Sequence, residues 1–229
     1  MIKFPCEEIY LINLYEREDK FQKMQQRLEF MGINVIPFRT VKHPFYERLI
    51  PRFRHVTVNI LSGGVFSCTR EHYTIIKSAY LRGLETVGIM EDDCSFLKNK
   101  EEWEKHFENL PINWDILRVN CLRGVEEECE EENIFWIKTK RNISGTGFYI
   151  LNRKAMEYMI NMIDSKYMPI DLPIEKANAN NCLNIYLPKK ELSLCIEKEE
   201  TWDSDIRKKI DEPHKFYLSI KRFKEEDYV

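Results

Sequence analysis

At 229 residues, with 43% hydrophobic, 12% aromatic and 32% charged side chains, the chain holds enough apolar material for one large α/β domain with its own core and does not read as disordered. A formal net charge of −3 gives no global reason to bind nucleic acid or an anionic membrane, so any anionic ligand has to be held locally. Seven cysteines, odd in number, scattered and never in a C-x-x-C pair, point to free thiols in a reducing compartment rather than a disulfide framework or a zinc site, and without a signal-peptide pattern or a run of about 18 apolar residues the expectation is a cytoplasmic protein with no membrane span.

Residues 9–14, Ile-Tyr-Leu-Ile-Asn-Leu, read as a first buried strand, and the charged segment from Tyr15 to Lys20 begins a helix. Phe21, Met24, Leu28 and Met31 recur at helical spacing until Gly32 closes the pattern as a C-cap. A second strand is expected at 33–38, which makes a βαβ unit with a right-handed crossover. Between Arg39 and Ser62 no period emerges, and Arg39, Lys42, His43, Arg48, Arg52, Arg54 and His55 make the segment basic. It is either a lid on the carboxyl side of the sheet, where open α/β proteins bind ligands, or a plain surface excursion.

Gly63-Gly64 introduces another helix whose apolar stripe runs through Val65, Cys68, His72, Ile75, Ile76, Ala79 and Tyr80. A lone histidine on such a stripe is more often a satisfied core residue than a catalyst. Residues 86–90 form a third strand that runs straight into Glu91-Asp92-Asp93. If the strand geometry continues, Glu91 and Asp93 share one face with Cα atoms about 6.6 Å apart, and Asp92 points the other way. Carboxylates that close repel unless a cation lies between them, and Mg²⁺ or Mn²⁺ bridging to a phosphate is the natural occupant. A solvated acidic turn is the plainer alternative.

Trp103, Phe107 and Leu110 predict a short helix stopped by Pro111, and residues 114–119 a strand. The acidic run Glu126 to Glu132 reads as a solvated loop, and 134–138 as an edge strand. In the β-favouring run 143–151, Gly145 and Gly147 flank Thr146, which marks a bulge or the close approach of a ligand to the backbone. Asn152 predicts an N-cap for a helix over 153–163. Asp171, between apolar neighbours ahead of another helical segment, is either an N-cap or a functional acid. Short strands follow at 183–187 and 191–196, and the segment 202–229 carries enough apolar residues to dock on the body.

Laid side by side, these pieces resemble glycosyltransferase family 25, which includes bacterial lipooligosaccharide galactosyltransferases and procollagen galactosyltransferase domains. The likeness is carried by Ile12-Asn13-Leu14 with Arg17, by Cys68, His72, Lys77 and Ala79, by Glu91-Asp92-Asp93, by Gly145-Thr146 through Tyr149, Arg153 and Ala155, and by Pro169-Ile170-Asp171, all in the family's order. Glu71 departs from it, standing where the family usually has serine, and beyond Leu172 only Ser204-Asp205-Ile206 matches.

The resemblance implies a GT-A-type single domain over 1–229, a mixed, mostly parallel sheet flanked by helices, with a donor-binding half at about 1–120 and an acceptor half at about 121–229. It implies a metal-dependent inverting transferase that moves galactose or glucose from a UDP-sugar to a hydroxyl of a glycan or protein, a hydroxylysine-type hydroxyl among the candidates. Asp93 and Glu91 would hold Mn²⁺ or Mg²⁺. Asn13, Leu14, Arg17, Glu91, Asp92, Gly145 and Thr146 would line the donor, and Asp171 would be the base, with His72 and Glu71 in reserve. A nucleotidyltransferase-like metal enzyme and an inactive member acting as a binding module are the rival readings.

Overall fold

The computed structural model describes residues 2–41, 63–119, 129–139, 145–166, 168–189 and 194–197. Much of the basic segment after Val41, residues 126–128 of the acidic run, and the segment 202–229 with Ser204-Asp205-Ile206 lie outside them. Strand β1 (Glu8–Leu14) passes through a short 3₁₀ turn (Tyr15–Arg17) into α1 (Glu18–Met31). Helix α1 buries Phe21, Met24, Leu28 and Met31, and Gly32, with φ of 65°, ends it in the left-handed conformation that glycine adopts without steric cost. Strand β2 (Ile36–Thr40) pairs parallel with β1, completing the expected βαβ unit a few residues later than the apolar run suggested. Its Pro37 is tolerated because, among the described residues, β2 is the last strand on its side of the sheet.

Helix α2 (Gly63–Leu81) leads to β3 (Thr86–Glu91), parallel to β1. Next come β4 (Cys94–Phe96), α3 (Lys100–Glu108), β5 (Ile116–Arg118), β6 (Cys129–Glu131), β7 (Trp136–Thr139) and β8 (Phe148–Asn152). Helices α4 (Arg153–Ser165) and α5 (Asp171–Ala179) precede β9 (Ile185–Pro188), and β10 (Cys195–Glu197) pairs antiparallel with β4. The main sheet has eight strands in the order β2-β1-β3-β8-β5-β9-β7-β6. It is mixed, as expected, with a larger antiparallel share: three of its pairings are parallel and four antiparallel.

Three local expectations change. Strand β3 stops at Glu91, and Asp92 and Asp93 form the turn into β4, so strand alternation does not set the facing of the three carboxylates. Strand β7 is interior, because part of the acidic run forms β6 outside it; charged side chains suit that edge, since they discourage pairing with another chain. Asp171 is the first residue of α5, and Ile170 holds the cap position. Asn152 does cap α4, its side chain accepting the amide N–H of Ala155 at 2.9 Å.

Period-two alternation distributes the core over both faces of the sheet. Met90 of β3 and Phe148 and Ile150 of β8 point toward α1 and α3, joining Met24, Leu28, Trp103 and Phe107. Val87, Ile89, Tyr149 and Leu151 point toward α2, α4 and α5, joining Ile76, Met156, Met159 and Ile174. Among the described residues no helix is long and apolar enough to cross a membrane.

Candidate functional site

Parallel pairing brings the carboxyl ends of β1 and β3 together. Ile12 stands opposite Glu91, so Asn13 and Leu14 continue beside the acidic turn. Antiparallel pairing of β3 with β8 sets Met90 opposite Phe148, which delivers Thr146 and Gly147 to the same point. The first half of α2 adds Cys68, Glu71 and His72, and the start of α5 adds Asp171. This is the sheet edge where open α/β folds leave a crevice for ligands.

Two polar groups are built there. In the first, Asn13 donates to Asp92 Oδ2 at 2.6 Å and to the Arg17 carbonyl at 3.2 Å, while Arg39 Nε donates to Asn13 Oδ1 at 3.2 Å. Arg17 lies 3.8 Å from Asp92 Oδ1. Asn13 is therefore the hinge pin of the β1 end, fixing the turn and Asp92 with a single amide. In the second group, Thr146 donates its hydroxyl to Glu91 Oε1 at 2.6 Å, and His72 Nε2 stands 3.3 Å from the same oxygen. On its other side His72 Nδ1 is 2.8 Å from the Tyr149 hydroxyl, with the two rings stacked. Burial opposes ionisation of Glu91, but His72, Thr146 and Arg17 outweigh it and hold the carboxyl below its usual value.

Asp171 sits where burial raises its carboxyl pKa, an effect moderated by its own and the Leu172 amide and by Arg118, and reinforced by the charge of Glu91. One turn on, burial and then the charge of Asp171 push Glu175 up to about 7, against the pull of Arg118. Arg118 is fully buried at the end of β5 and donates to the carbonyl of Gly145. Gly145 has φ of 97°, a conformation that strains any side chain, so the glycine is required by this turn.

Of the residues singled out by sequence, Asn13, Arg17, His72, Glu91, Asp92 and Thr146 meet in these two groups. Glu71 is engaged elsewhere: its Oε1 receives Arg70 at 2.6 Å and the Thr40 hydroxyl at 3.1 Å. Asp93 and Asp171 are both close enough for their charges to act on the Cys68 thiol, which burial holds well above its ordinary pKa. Leu14 only precedes the 3₁₀ turn. Sequence reasoning missed Arg118 and Glu175, and gave Tyr149 a place in the family motif but no role. For Glu175 the available signal was its spacing four residues after Asp171. A cleft of about 570 Å³ between α1 and the segment after β4, lined by Lys23, Arg27, Phe30 and Lys98, includes none of these residues.

A family model described as glycosyltransferase family 25 (LPS biosynthesis protein) matches residues 6–174. Procollagen galactosyltransferase 1-B of Xenopus laevis is 24% identical over 208 residues, 75% of this chain and 31% of that protein. Procollagen galactosyltransferase 1-A of the same animal is 22% identical over 233 residues, 85% of this chain and 35% of that protein. The chain thus spans about a third of the length of these relatives. Among solved structures, mannose-1-phosphate geranyltransferase from Thermus thermophilus overlays with a TM-score of 0.43 at 10% identity, covering 79% of this chain and 72% of that one. The matched segment runs from before β1 into α5 and contains every polar residue of the two groups together with Asp171, and the chain belongs to glycosyltransferase family 25.

Proposed function

We propose that the chain is an inverting glycosyltransferase acting in the cytoplasm, moving galactose or glucose from a UDP-sugar to a hydroxyl of a glycan or protein acceptor. The observation that carries this reading is the meeting of Asn13, Arg17 and Asp92 with Glu91, Thr146 and His72 at one strand end, with the buried Asp171 beside them, in a chain of this family. Arg17 and Arg39, drawn in at the end of β1, give the donor diphosphate a local countercharge despite the chain's net negative charge. Thr146 gives its proton to Glu91, which leaves its oxygen to accept from a sugar hydroxyl.

Asp171, with its raised pKa, is the base. It takes the proton of the acceptor hydroxyl while that oxygen bonds to the anomeric carbon and the bond from this carbon to the diphosphate oxygen breaks, releasing UDP. The donor set of Glu91 and Asp93, carboxylate oxygens only, fits a hard cation such as Mn²⁺ or Mg²⁺. Such an ion, when bound, neutralises charge on the departing diphosphate. The β1–α1 turn contains no glycine, which weighs against a nucleotidyltransferase with a glycine-rich phosphate loop.

Calorimetry with UDP-galactose and UDP-glucose tests the reading. Binding is expected in Mn²⁺ and is expected to vanish in Asp93→Ala. Equal UDP affinity in EDTA overturns the metal-dependent part, and no binding of either sugar nucleotide under any condition overturns the donor assignment.

A further inference from the structure

The cysteine spacings of the sequence argue against a zinc site, yet the fold gathers a different donor set. Cys68 and His72 lie four residues apart on α2, so both project from one helix face, and the end of β3 brings Glu91 to meet them. Their Sγ, imidazole nitrogen and carboxylate oxygen all lie within 4.8 Å of one another. His72 has no exposed side-chain surface, and its Nε2 makes no hydrogen bond although it faces Glu91 Oε1 at 3.3 Å. A buried ring nitrogen left in that state is unfavourable unless something satisfies it. A cation between the two atoms would satisfy both.

We propose that Cys68, His72 and Glu91 form a centre for a borderline-soft divalent cation of the Zn²⁺ class, with the fourth coordination position open. The distances support it. Tetrahedral bonds of about 2.0–2.1 Å to nitrogen and oxygen place those atoms about 3.3 Å apart, which matches the separation of His72 Nε2 and Glu91 Oε1. With bonds of about 2.3 Å to sulfur, Sγ belongs about 3.6 Å from each, and since the three atoms already lie within 4.8 Å of one another, closing the site takes a movement of no more than about 1.2 Å. The donor set of thiolate, imidazole and carboxylate selects Zn²⁺ over the hard ions that suit oxygen alone.

The surroundings are those of a ligand centre. Tyr149 at Nδ1 fixes which nitrogen of His72 faces the cation, and Thr146 holds the ligating oxygen of Glu91. Charges of Glu71, Glu91, Asp93 and Asp171 all act on the Cys68 thiol, giving a negative potential that a cation relieves. Both contacts of Glu91 fall on Oε1, so its second oxygen stays available to the hard-cation set proposed with Asp93. The centre does not depend on which reaction the chain performs.

Co²⁺ is the probe, titrated into the full chain after removal of metal with a chelator. One equivalent is expected to give the visible bands of four-coordinate cobalt and a near-ultraviolet sulfur-to-cobalt charge-transfer band, both abolished by Zn²⁺ and neither by Mg²⁺. Cys68→Ser should lose the charge-transfer band, while Cys182→Ser, at an exposed thiol, should keep it. Tyr149→Phe should weaken Zn²⁺ binding about 10–100-fold, the usual effect of removing the partner of a ligating histidine. Wild-type protein without a sulfur band at one equivalent would leave His72 and Glu91 as a polar pair and overturn the proposal, as would a band surviving in Cys68→Ser. Loss of the centre with UDP-sugar binding intact leaves the transferase reading standing, and the reverse result separates them equally well.

Discussion

The two faces of the sheet are built from the same strands but solve opposite problems. Toward α1 and α3, Phe4, Trp103, Phe107 and Phe148 interlock with ring centroids 5.0–6.2 Å apart, an aromatic cluster whose energy is burial and contact. Toward α2, α4 and α5 the middle is aliphatic, but at the carboxyl end of β3 it gives way to His72, Glu71, Cys68, Thr146, Arg118 and Asp171. Burying such groups is unfavourable unless each is paired, so a layer of them at one end of a core marks work other than holding the fold. The aromatic face supplies packing; the polar end of the other face is where the proposed chemistry lies.

The largest expected effect separates these roles directly. Asp171→Asn removes the proposed proton acceptor but keeps size and shape, so turnover should fall by about 10²–10⁴-fold with UDP-sugar affinity unchanged and the unfolding midpoint not lowered. Retained turnover in a discontinuous sugar-transfer assay would take Asp171 out of the role of base. Trp103→Ala is the counterpart on the other face. It should cost about 3–5 kcal/mol in urea unfolding, the usual effect of emptying a buried aromatic site, while the fraction that remains folded binds donor normally.

The comparison is sharpened by pH. Glu175 has its carboxyl pushed up from 4.5 to about 7, so the folded chain holds a proton there that the unfolded chain has already released. Stability therefore falls as pH rises through the window from about 4.5 to about 7, and is level above it with respect to this group. Glu175→Gln should flatten that part of the stability profile and raise the unfolding midpoint at pH 8. An unchanged profile would mean that the carboxyl titrates normally and that the α5 end is not the pH-sensitive face.

How much of this was readable from sequence depends on how local each feature is. The α1 stripe from Phe21 to Met31, the Gly32 terminator and the Asn152 cap follow from neighbours within four residues, and each is where periodicity puts it. The turn at Asp92 and Asp93 was misread because three carboxylates after an apolar run look like a strand continued, whereas the end of the pairing with β1 and β8 is set by residues far away in the chain. Strand β6 was hidden for a similar reason, since an edge strand needs no apolar face and its glutamates resemble a loop. The acidic triplet at Glu91 could be nominated from a strand end alone, and Asn13 from the family resemblance. The pairings could not: Thr146, marked by its flanking glycines, lies 55 residues from Glu91, and Tyr149 lies 77 residues from His72, so only the sheet order joins them.

The smallest expected effect tests whether the two faces are independent. Asn99 accepts the amide of Glu102 at 3.0 Å while the Glu102 carboxylate accepts the amide of Asn99 at 3.1 Å, a reciprocal cap that starts α3 one turn before Trp103. Asn99→Ala removes half of this arrangement and should cost about 1 kcal/mol in urea unfolding, with the denaturant slope unchanged. Because α3 packs only on the aromatic face, donor affinity and turnover should stay at the wild-type level. A parallel loss of donor binding would show that the end of β3 transmits strain between the layers through Met90 and Glu91, adjacent residues on opposite faces, and the division of labour between the faces would then fail.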